Sequence, residues 1–228
     1  MFFKDLFSFF NTPIAYVITS IFLVIAGWFF FSRFFLFGQL DMRLFFEQLP
    51  FIYVFIVPLV TMRLLSEEFS TGSYELLLTM PLHIRDIVVG KFLAASVFLF
   101  AKLIPTFSYV ICLFFLGDLD LGPVIGGYLG SFFLGSAFVS IGIFSSALTK
   151  NQIIAAIISV AICFSFFLVD KVLFFFPAKI LGPLQYLSAD YHFQNIAKGV
   201  IDSRDIIYFL SVIAVFLFSA KTVLERNK

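Results

Sequence analysis

Six apolar runs, each near the length of a membrane span, constrain the fold of this 228-residue chain more than any other feature. They cover residues 14–37, 51–65 with an extension back to about 45, 87–116, 124–148, 153–169 and 206–223. A helix needs about 20 apolar residues to cross about 30 Å of hydrocarbon. The runs are continuous and not alternating, which favours helices over the strands of a membrane barrel. A helix also satisfies its backbone hydrogen-bonding groups internally, as a bilayer requires. The sequence therefore predicts an all-α membrane protein with six transmembrane helices.

Composition supports one membrane domain over residues 1–228. The chain is 61% hydrophobic and 13% charged, with a formal net charge of +1. Soluble domains are nearer half apolar and a quarter charged. The absence of a basic cluster argues against nucleic acid as a partner and leaves the lipid bilayer as the expected surroundings. No soluble domain interrupts the apolar runs.

Three segments outside the spans carry structural expectations. Residues 1–12 place apolar side chains at helical spacing opposite Lys4, Ser8 and Asn11, which predicts an amphipathic interface helix. Residues 170–205 contain two apolar pieces too short to span, which predicts re-entrant or interfacial helices between spans five and six. Pro58 is expected to kink the second span. Six spans place both termini on one side.

The most polar stretch, SEEFSTGSYELLLTMPLHIRDIVVGK, lies between spans two and three. Thr71 or Gly72 is predicted to cap the start of a new short helix. Glu75 follows in its first turns, where a carboxylate meets the positive end of the helix dipole, and Pro81 marks its end. About eight residues give roughly 12 Å of helix, which is too short to span. Such an element is suited to contact another protein, although a simple linking turn fits the residues equally well.

The Gly90-Lys91 pair ends this stretch and raises the question of a nucleotide site. A phosphate-binding loop requires G-x-x-x-x-G-K-[ST]. Arg85 occupies the first glycine position, and Phe92 stands in place of the hydroxyl residue. The motif is therefore absent, and the chain is not predicted to hydrolyse ATP through it.

The order EE-x3-G-x2-E-L-L-L-x2-P-x8-GK, from Glu67 to Lys91, resembles the signature that follows the second span of ABC-2 type permeases. The stretches FFNTPIAYVITSIFLVIAGWFF and LSADYHFQNIAKGVIDSRDIIYFLS resemble the gliding-motility-associated branch. The resemblance covers essentially the whole chain. Gly72-Ser73 replaces the usual Gly-Thr and keeps the hydroxyl.

This resemblance implies a permease subunit of an ATP-driven exporter or machine, which couples ATP hydrolysis by a separate ABC ATPase subunit to substrate movement or mechanical output. ATP and Mg would be bound by that partner and no cofactor by this chain. A second copy, or a related membrane subunit, would complete the complex. The protein would lie in the bacterial inner membrane with cytoplasmic termini and extracellular re-entrant helices. A coupling helix within residues 66–86 would contact the ATPase through Glu67, Glu68, Thr71, Gly72, Glu75, Leu76, Leu77 and Pro81.

Two further features keep alternatives open. Lys102 lies within span three, and an ionisable group in a membrane is a functional hypothesis by default. It supports an ion-coupled transporter or membrane enzyme as the alternative, and a membrane scaffold is a third reading. Gly126, Gly130 and Gly135 provide small residues for helix packing or for a dimer seam. No arrangement of residues predicts a catalytic or metal site.

Overall fold

Helices form all the regular structure in the described part of the chain. The computed structural model describes residues 2–37, 41–75, 83–116, 120–172 and 185–226. The helices, in chain order, are α1 Phe2–Asn11, α2 Pro13–Phe37, α3 Arg43–Thr61, α4 Arg63–Ser70, α5 Ile84–Leu103, α6 Phe107–Leu116, α7 Leu121–Leu148, α8 Gln152–Val172, α9 Ala189–Ala197 and α10 Ser203–Arg226, with a 3-10 turn at Ile104–Thr106.

Six helical segments of the described residues are long and apolar enough to cross a membrane. They are α2, α3 with α4, α5 with α6, α7, α8 and α10. This confirms the prediction of an all-α membrane protein with six spans. The spans alternate in direction, so the start of α2 and the end of α10 lie at one end of the bundle. We call that end, with α1 and α4, the terminal end, and the end that holds α9 the distal end.

The N-terminal helix α1 is confirmed as a separate amphipathic element beside the spans. Phe3 and Phe7 on one side are exposed. Phe9 on the other side stacks on the Phe98 ring of α5, with ring centroids 4.9 Å apart, and Phe10, which is 40% exposed, meets the edge of that ring at 5.5 Å. Exposed Phe side chains are accepted by lipid, so α1 has one lipid-compatible side and one side packed on the bundle.

Helix α7 forms the centre of the bundle because small residues let its neighbours approach closely. In its most apolar window 78% of residues are buried, against 17% for α8 and 11% for α10. The ring of Phe46 in α3 lies against Gly127, where a Cβ atom would be 2.2 Å away. Thr61 lies against Gly142 in the same manner. Most residues of the two outer helices α8 and α10 are instead only partly buried or exposed.

The third span is interrupted at Pro105, which has no backbone N–H to continue the helix. The Thr106 hydroxyl donates to the Leu103 carbonyl at 2.6 Å and contacts the Tyr128 hydroxyl at 3.0 Å. Tyr128 belongs to α7, so the interruption is fixed to the centre of the bundle.

The distal end is closed in part by the short helix α9. It contains nine residues, too few to span, and its Ser188 cap accepts a hydrogen bond from the Tyr191 N–H at 3.3 Å. Residues 173–184, which carry the first of the two predicted re-entrant pieces, lie outside the described residues.

Candidate functional site: a charged junction and hinge at the terminal end

A buried lysine joins three helices at the terminal end. Lys91 of α5 is 1% exposed. Its Nζ lies 2.6 Å from Glu68 Oε1 of α4 and 3.8 Å from Asp5 Oδ1 of α1. We call Asp5, Glu68 and Lys91 the charged junction. Two positions of the polar signature, separated by 23 residues, therefore meet in space.

The junction holds more carboxylate than ammonium charge. Asp5 Oδ2 and Glu68 Oε2 are both buried without a hydrogen-bond partner among the described residues. Removing an ionised carboxylate from water is costly unless a charge or hydrogen bond compensates it. Lys91 is in ion-pair contact with carboxylates from two helices and lies closer to Glu68, on which the positive charge of Lys4 also acts.

The second span contains a hinge next to this junction. Helix α3 continues through Pro58 to Thr61, and the predicted kink at Pro58 stays a prediction. The break falls at Met62, between α3 and α4.

The hinge arises because a side chain of α7 enters the backbone ladder. Ser146 Oγ accepts hydrogen bonds from the N–H groups of Leu65 at 3.0 Å and Ser66 at 2.9 Å. The same hydroxyl donates to the Met62 carbonyl at 3.0 Å. A side chain inserted into the helical hydrogen-bond ladder interrupts it locally, while Met62 itself keeps a helical backbone with φ −53° and ψ −30°. Ser146 therefore anchors the start of α4 to the centre of the bundle.

The turn after α4 contains most of the predicted partner-contact residues that the structure describes. Thr71 closes α4: its N–H and its hydroxyl both bond to the Glu67 carbonyl, at 3.0 and 2.9 Å. This corrects its predicted role as the start of the next helix. Gly72 has φ +71°, a left-handed conformation that glycine adopts without steric cost.

A new helical segment begins at residues 73–75, where the Glu75 N–H bonds to the Gly72 carbonyl at 3.2 Å. Gly72 thus follows the end of one helix and caps the start of the next, and of the two predicted caps, Thr71 and Gly72, it is Gly72 that takes this role. Glu75 and Glu67 are exposed, and Glu67 pairs with Arg63 at 3.9 Å. Leu76, Leu77 and Pro81 lie outside the described residues.

Tyr74 anchors this turn to the last span. Its side chain is buried, and its hydroxyl lies 3.4 Å from the Leu224 carbonyl of α10, to which it donates. Burial and then the negative charge of Glu68 raise the pKa of the Tyr74 phenol above its ordinary value. The turn is thus fixed on one side while Glu75 points outward.

A cavity of about 620 Å³ lies beside the charged junction, between α1 and the starts and ends of the neighbouring spans. Its wall includes the polar side of α1, with Lys4, Asp5 and Ser8, and the charged side of α4. The polar side of α1 therefore faces an internal space next to α4, an arrangement that the sequence pattern alone did not predict.

Lys102 lies deeper in the third span. It is 3% exposed, its Nζ has no hydrogen-bond partner in the described part of the chain, and the ammonium group lies 4.4 Å from the centre of the Phe98 ring. A cation over an aromatic face is attracted by the ring. The structure therefore places Lys102 one helical turn beyond the ring on which α1 packs, apart from the charged junction.

The three glycines singled out in α7 contact residues of the same chain. A Cβ atom at Gly126 would lie 2.1 Å from the Ile196 carbonyl of α9, and one at Gly130 would lie 3.2 Å from the Phe193 ring. Gly135 faces the Tyr53 ring of α3. Their described contacts therefore serve packing within one subunit, and a dimer seam stays a prediction.

Sequence reasoning missed the polar pairs at the distal end. His192 Nδ1 lies 2.5 Å from Asp205 Oδ1, and its Nε2 lies 3.0 Å from the Tyr186 carbonyl. Lys171 lies nearer to Asp190, at 2.8 Å, than to its chain neighbour Asp170, at 3.9 Å. No local spacing signals these contacts, because they join different helices. Among the described residues, no group of three His, Cys, Asp or Glu side chains could hold a metal ion.

The membrane-length helices define the class of this molecule, a multi-pass α-helical membrane protein. A family model described as "ABC-2 family transporter protein" matches residues 45–224, and on this match the chain belongs to the ABC-2 family of transporter proteins. It is thus a permease component of an ABC transporter, and membership implies association with an ABC ATPase subunit. The match does not distinguish a gliding-motility branch. Comparison with curated proteins gave no significant match.

Proposed function

We propose that α4 and the turn after it transmit the conformational change of a separate ATPase subunit to the spans of this permease. The observation that carries the proposal is the hinge at Met62, where Ser146 holds the start of α4 against α7. At its other end α4 leads into the exposed turn with Glu75. An element that is anchored to α7 at one end and leads at the other to an exposed glutamate and to the Tyr74 contact with α10 is suited to pass a displacement to the spans.

The charged junction gives this lever a route to two other helices. A displacement of α4 moves Glu68, and Lys91 then shifts its balance between Glu68 and Asp5. Because Lys91 belongs to α5 and Asp5 to α1, the displacement reaches the third span and the interface helix together. Coupling through a bistable set of contacts of this kind needs no chemistry in the permease itself.

The remaining parts of the proposal follow the family resemblance. ATP and Mg bind to the partner ATPase, and two permease subunits, identical or related, form the membrane portion. Both termini and the turn at Glu75 face the cytoplasm across the bacterial inner membrane, so that a cytoplasmic ATPase can reach them. A role in gliding motility belongs to the same proposal and rests on the resemblance of the N-terminal and late stretches alone.

The test uses the permease co-expressed with its ATPase and reconstituted in lipid nanodiscs. Glu75→Lys reverses an exposed charge in the turn and is expected to lower both co-purification and the ATPase activity of the complex. Glu225→Lys is the matched control, because Glu225 is an exposed glutamate at the same end. Equal loss in both variants, or full activity in both, would exclude the turn as the contact.

An ion-coupled mechanism is the second candidate, and the buried amine of Lys102 favours it specifically. An ionisable group without a hydrogen-bond partner inside a span is costly to charge and marks transport paths in other membrane proteins. Lys102→Met is expected to abolish transport in this case without changing ATPase activity or co-purification. If transport continues at the wild-type rate in Lys102→Met, the ion-coupled candidate is excluded.

A further inference from the structure

The cavity beside α1 has a divided lining. Toward α1 and α4 its wall carries the charged side chains of Lys4, Arg63 and Glu67. On the other side it is formed by apolar residues of α2 and α3, among them Ile14, Ile18 and Leu59. Pockets that bind small molecules are largely apolar with a few placed polar groups. A wall that changes from charged to apolar across one cavity matches an amphiphile with a polar head and a hydrocarbon chain.

The apolar part of the wall continues onto the outer surface of the bundle. Ile14 and Leu59 are 40% and 39% exposed, whereas Ile18 is buried at 8%. The exposed side chains lie on spans and so face the hydrocarbon, and the exposed Phe3 of α1 is also on the lipid-compatible side. An acyl chain of a bilayer lipid can thus enter the cavity from the side, along the apolar wall, without crossing the charged wall formed by α1 and α4.

The charge of the lining selects the type of headgroup. Three cations are balanced by three carboxylates: Lys4, Arg63 and Lys91 against Asp5, Glu67 and Glu68. Lys91 is already engaged in the charged junction. Lys4 forms no ion pair within the described ranges, and Arg63 is only weakly paired, because its Nε lies as far as 3.9 Å from the Glu67 carboxylate. An anionic lipid would add an uncompensated charge to this neutral lining. A zwitterion adds none, and it offers a phosphate to the cations and an ammonium to the carboxylate.

We propose that this cavity is a binding site for a zwitterionic phospholipid of the phosphatidylethanolamine type. Its phosphate lies between Lys4 and Arg63, its ammonium faces Glu67, and one acyl chain follows Ile14 and Leu59. The site goes beyond the coupling function, because it requires no ATPase and no movement of α4. It also places a bilayer lipid between α1 and α4, next to the charged junction.

The test is native mass spectrometry of the detergent-purified protein after incubation with equal amounts of phosphatidylethanolamine and phosphatidylglycerol. We expect one phosphatidylethanolamine to be retained in preference to phosphatidylglycerol. Lys4→Glu and Arg63→Glu should each lower that retention at least about fivefold, the scale of one basic side chain at a lipid headgroup. Lys150→Glu is the matched control, since Lys150 is an exposed lysine at the same end and does not line the cavity.

Two additions keep the result decisive. Ser8→Trp fills the cavity from an exposed position of α1 and should lower retention without changing helical content. Soluble phosphoethanolamine, which lacks acyl chains, should not displace the lipid. Equal retention in wild type and all variants would indicate nonspecific surrounding lipid and overturn the proposal. Preference for phosphatidylglycerol, or displacement by phosphoethanolamine, would overturn it as well.

Discussion

The two ends of the bundle both bury charge, but they compensate it differently. At the distal end Asp205 pairs with His192, and Asp190 pairs with Lys171, which also lies 3.9 Å from Asp170 and whose side chain is 54% exposed. At the terminal end Lys91 serves both Asp5 and Glu68, beside a cavity. Breaking a buried pair is costly in either place. Both lysines lie near two carboxylates, but Lys91 is buried whereas Lys171 is half exposed, so water reaches the distal cation and not Lys91. The terminal end therefore depends more strongly on the position of one cation.

Removal of the shared cation should produce the largest effect. Lys91→Met leaves two buried carboxylates uncompensated and is expected to lower the free energy of unfolding by about 3–5 kcal/mol. SDS titration followed by circular dichroism measures it. Adding Asp5→Asn and Glu68→Gln to the same variant should recover most of the loss.

The matched control for this variant is Lys221→Met. Lys221 pairs with Glu225 one helical turn away, at 3.2 Å, with the glutamate half exposed. Such pairs contribute about 0.3–0.5 kcal/mol. A loss below about 1 kcal/mol for Lys91→Met, on the scale of exposed pairs, would show that the junction is not the buried charge centre inferred from its contacts.

The distal end is expected to resist change through close packing more than through charge. Gly126→Ala would bring a Cβ atom to 2.1 Å from the Ile196 carbonyl, so α9 must move away from α7. We expect a loss of about 3 kcal/mol, the upper part of the range for overpacking. Gly135→Ala is the control, because its Cβ meets the Tyr53 ring at 3.2 Å and a ring can shift. Equal losses in the two variants would contradict a rigid contact between α7 and α9.

The hinge provides the next smaller effect. Ser146→Ala removes the acceptor for the Leu65 and Ser66 N–H groups, and an unsatisfied buried donor costs about 1–3 kcal/mol. Ser145→Ala is matched by position, because Ser145 donates only to Ile141 of its own helix, at 2.9 Å. We expect about 2 kcal/mol for the first variant and under 1 kcal/mol for the second. Indistinguishable stabilities would remove Ser146 from the hinge.

The sequence predicted the elements that depend on local pattern. The six spans follow from the length of the apolar runs, and α1 follows from the spacing of its Phe residues. The signature from Glu67 to Lys91 also led to the family, although it did not reveal that Glu68 and Lys91 contact each other. Contacts between distant helices have no local period from which they can be read.

The hinge in the second span is another feature that the sequence pattern alone does not locate. Pro58 is the residue of the second span from which a kink is predicted, yet the boundary between α3 and α4 falls four residues later, at Met62. Its cause is Ser146, a residue of another helix 84 positions from Met62. From the sequence, a serine in an apolar run such as Ser146 is interpreted as a small residue that allows close helix packing. Only the three-dimensional arrangement shows that its hydroxyl replaces two backbone acceptors.

The smallest predicted effect concerns the anchor of the turn at the terminal end. Tyr74→Phe removes a long hydrogen bond to the Leu224 carbonyl and should lower the free energy of unfolding by under 1 kcal/mol at neutral pH. The raised pKa of Tyr74 adds a pH dependence, because the unfolded chain releases the phenol proton near pH 10 while the folded chain retains it. Stability contributed by Tyr74 therefore falls as pH rises above about 10.

This alkaline decline distinguishes the buried anchor from a surface tyrosine. Unfolding measured between about pH 8 and pH 11, on either side of the ordinary phenol pKa, should decline less steeply in Tyr74→Phe than in the wild type. Tyr186→Phe is the control, since Tyr186 is 53% exposed and lies outside the six spans. If both variants keep the wild-type pH profile, Tyr74 ionises as freely as a surface phenol. The turn at Gly72 would then be attached to α10 less firmly than the Tyr74–Leu224 contact implies, and the terminal end would be mobile on both sides of α4.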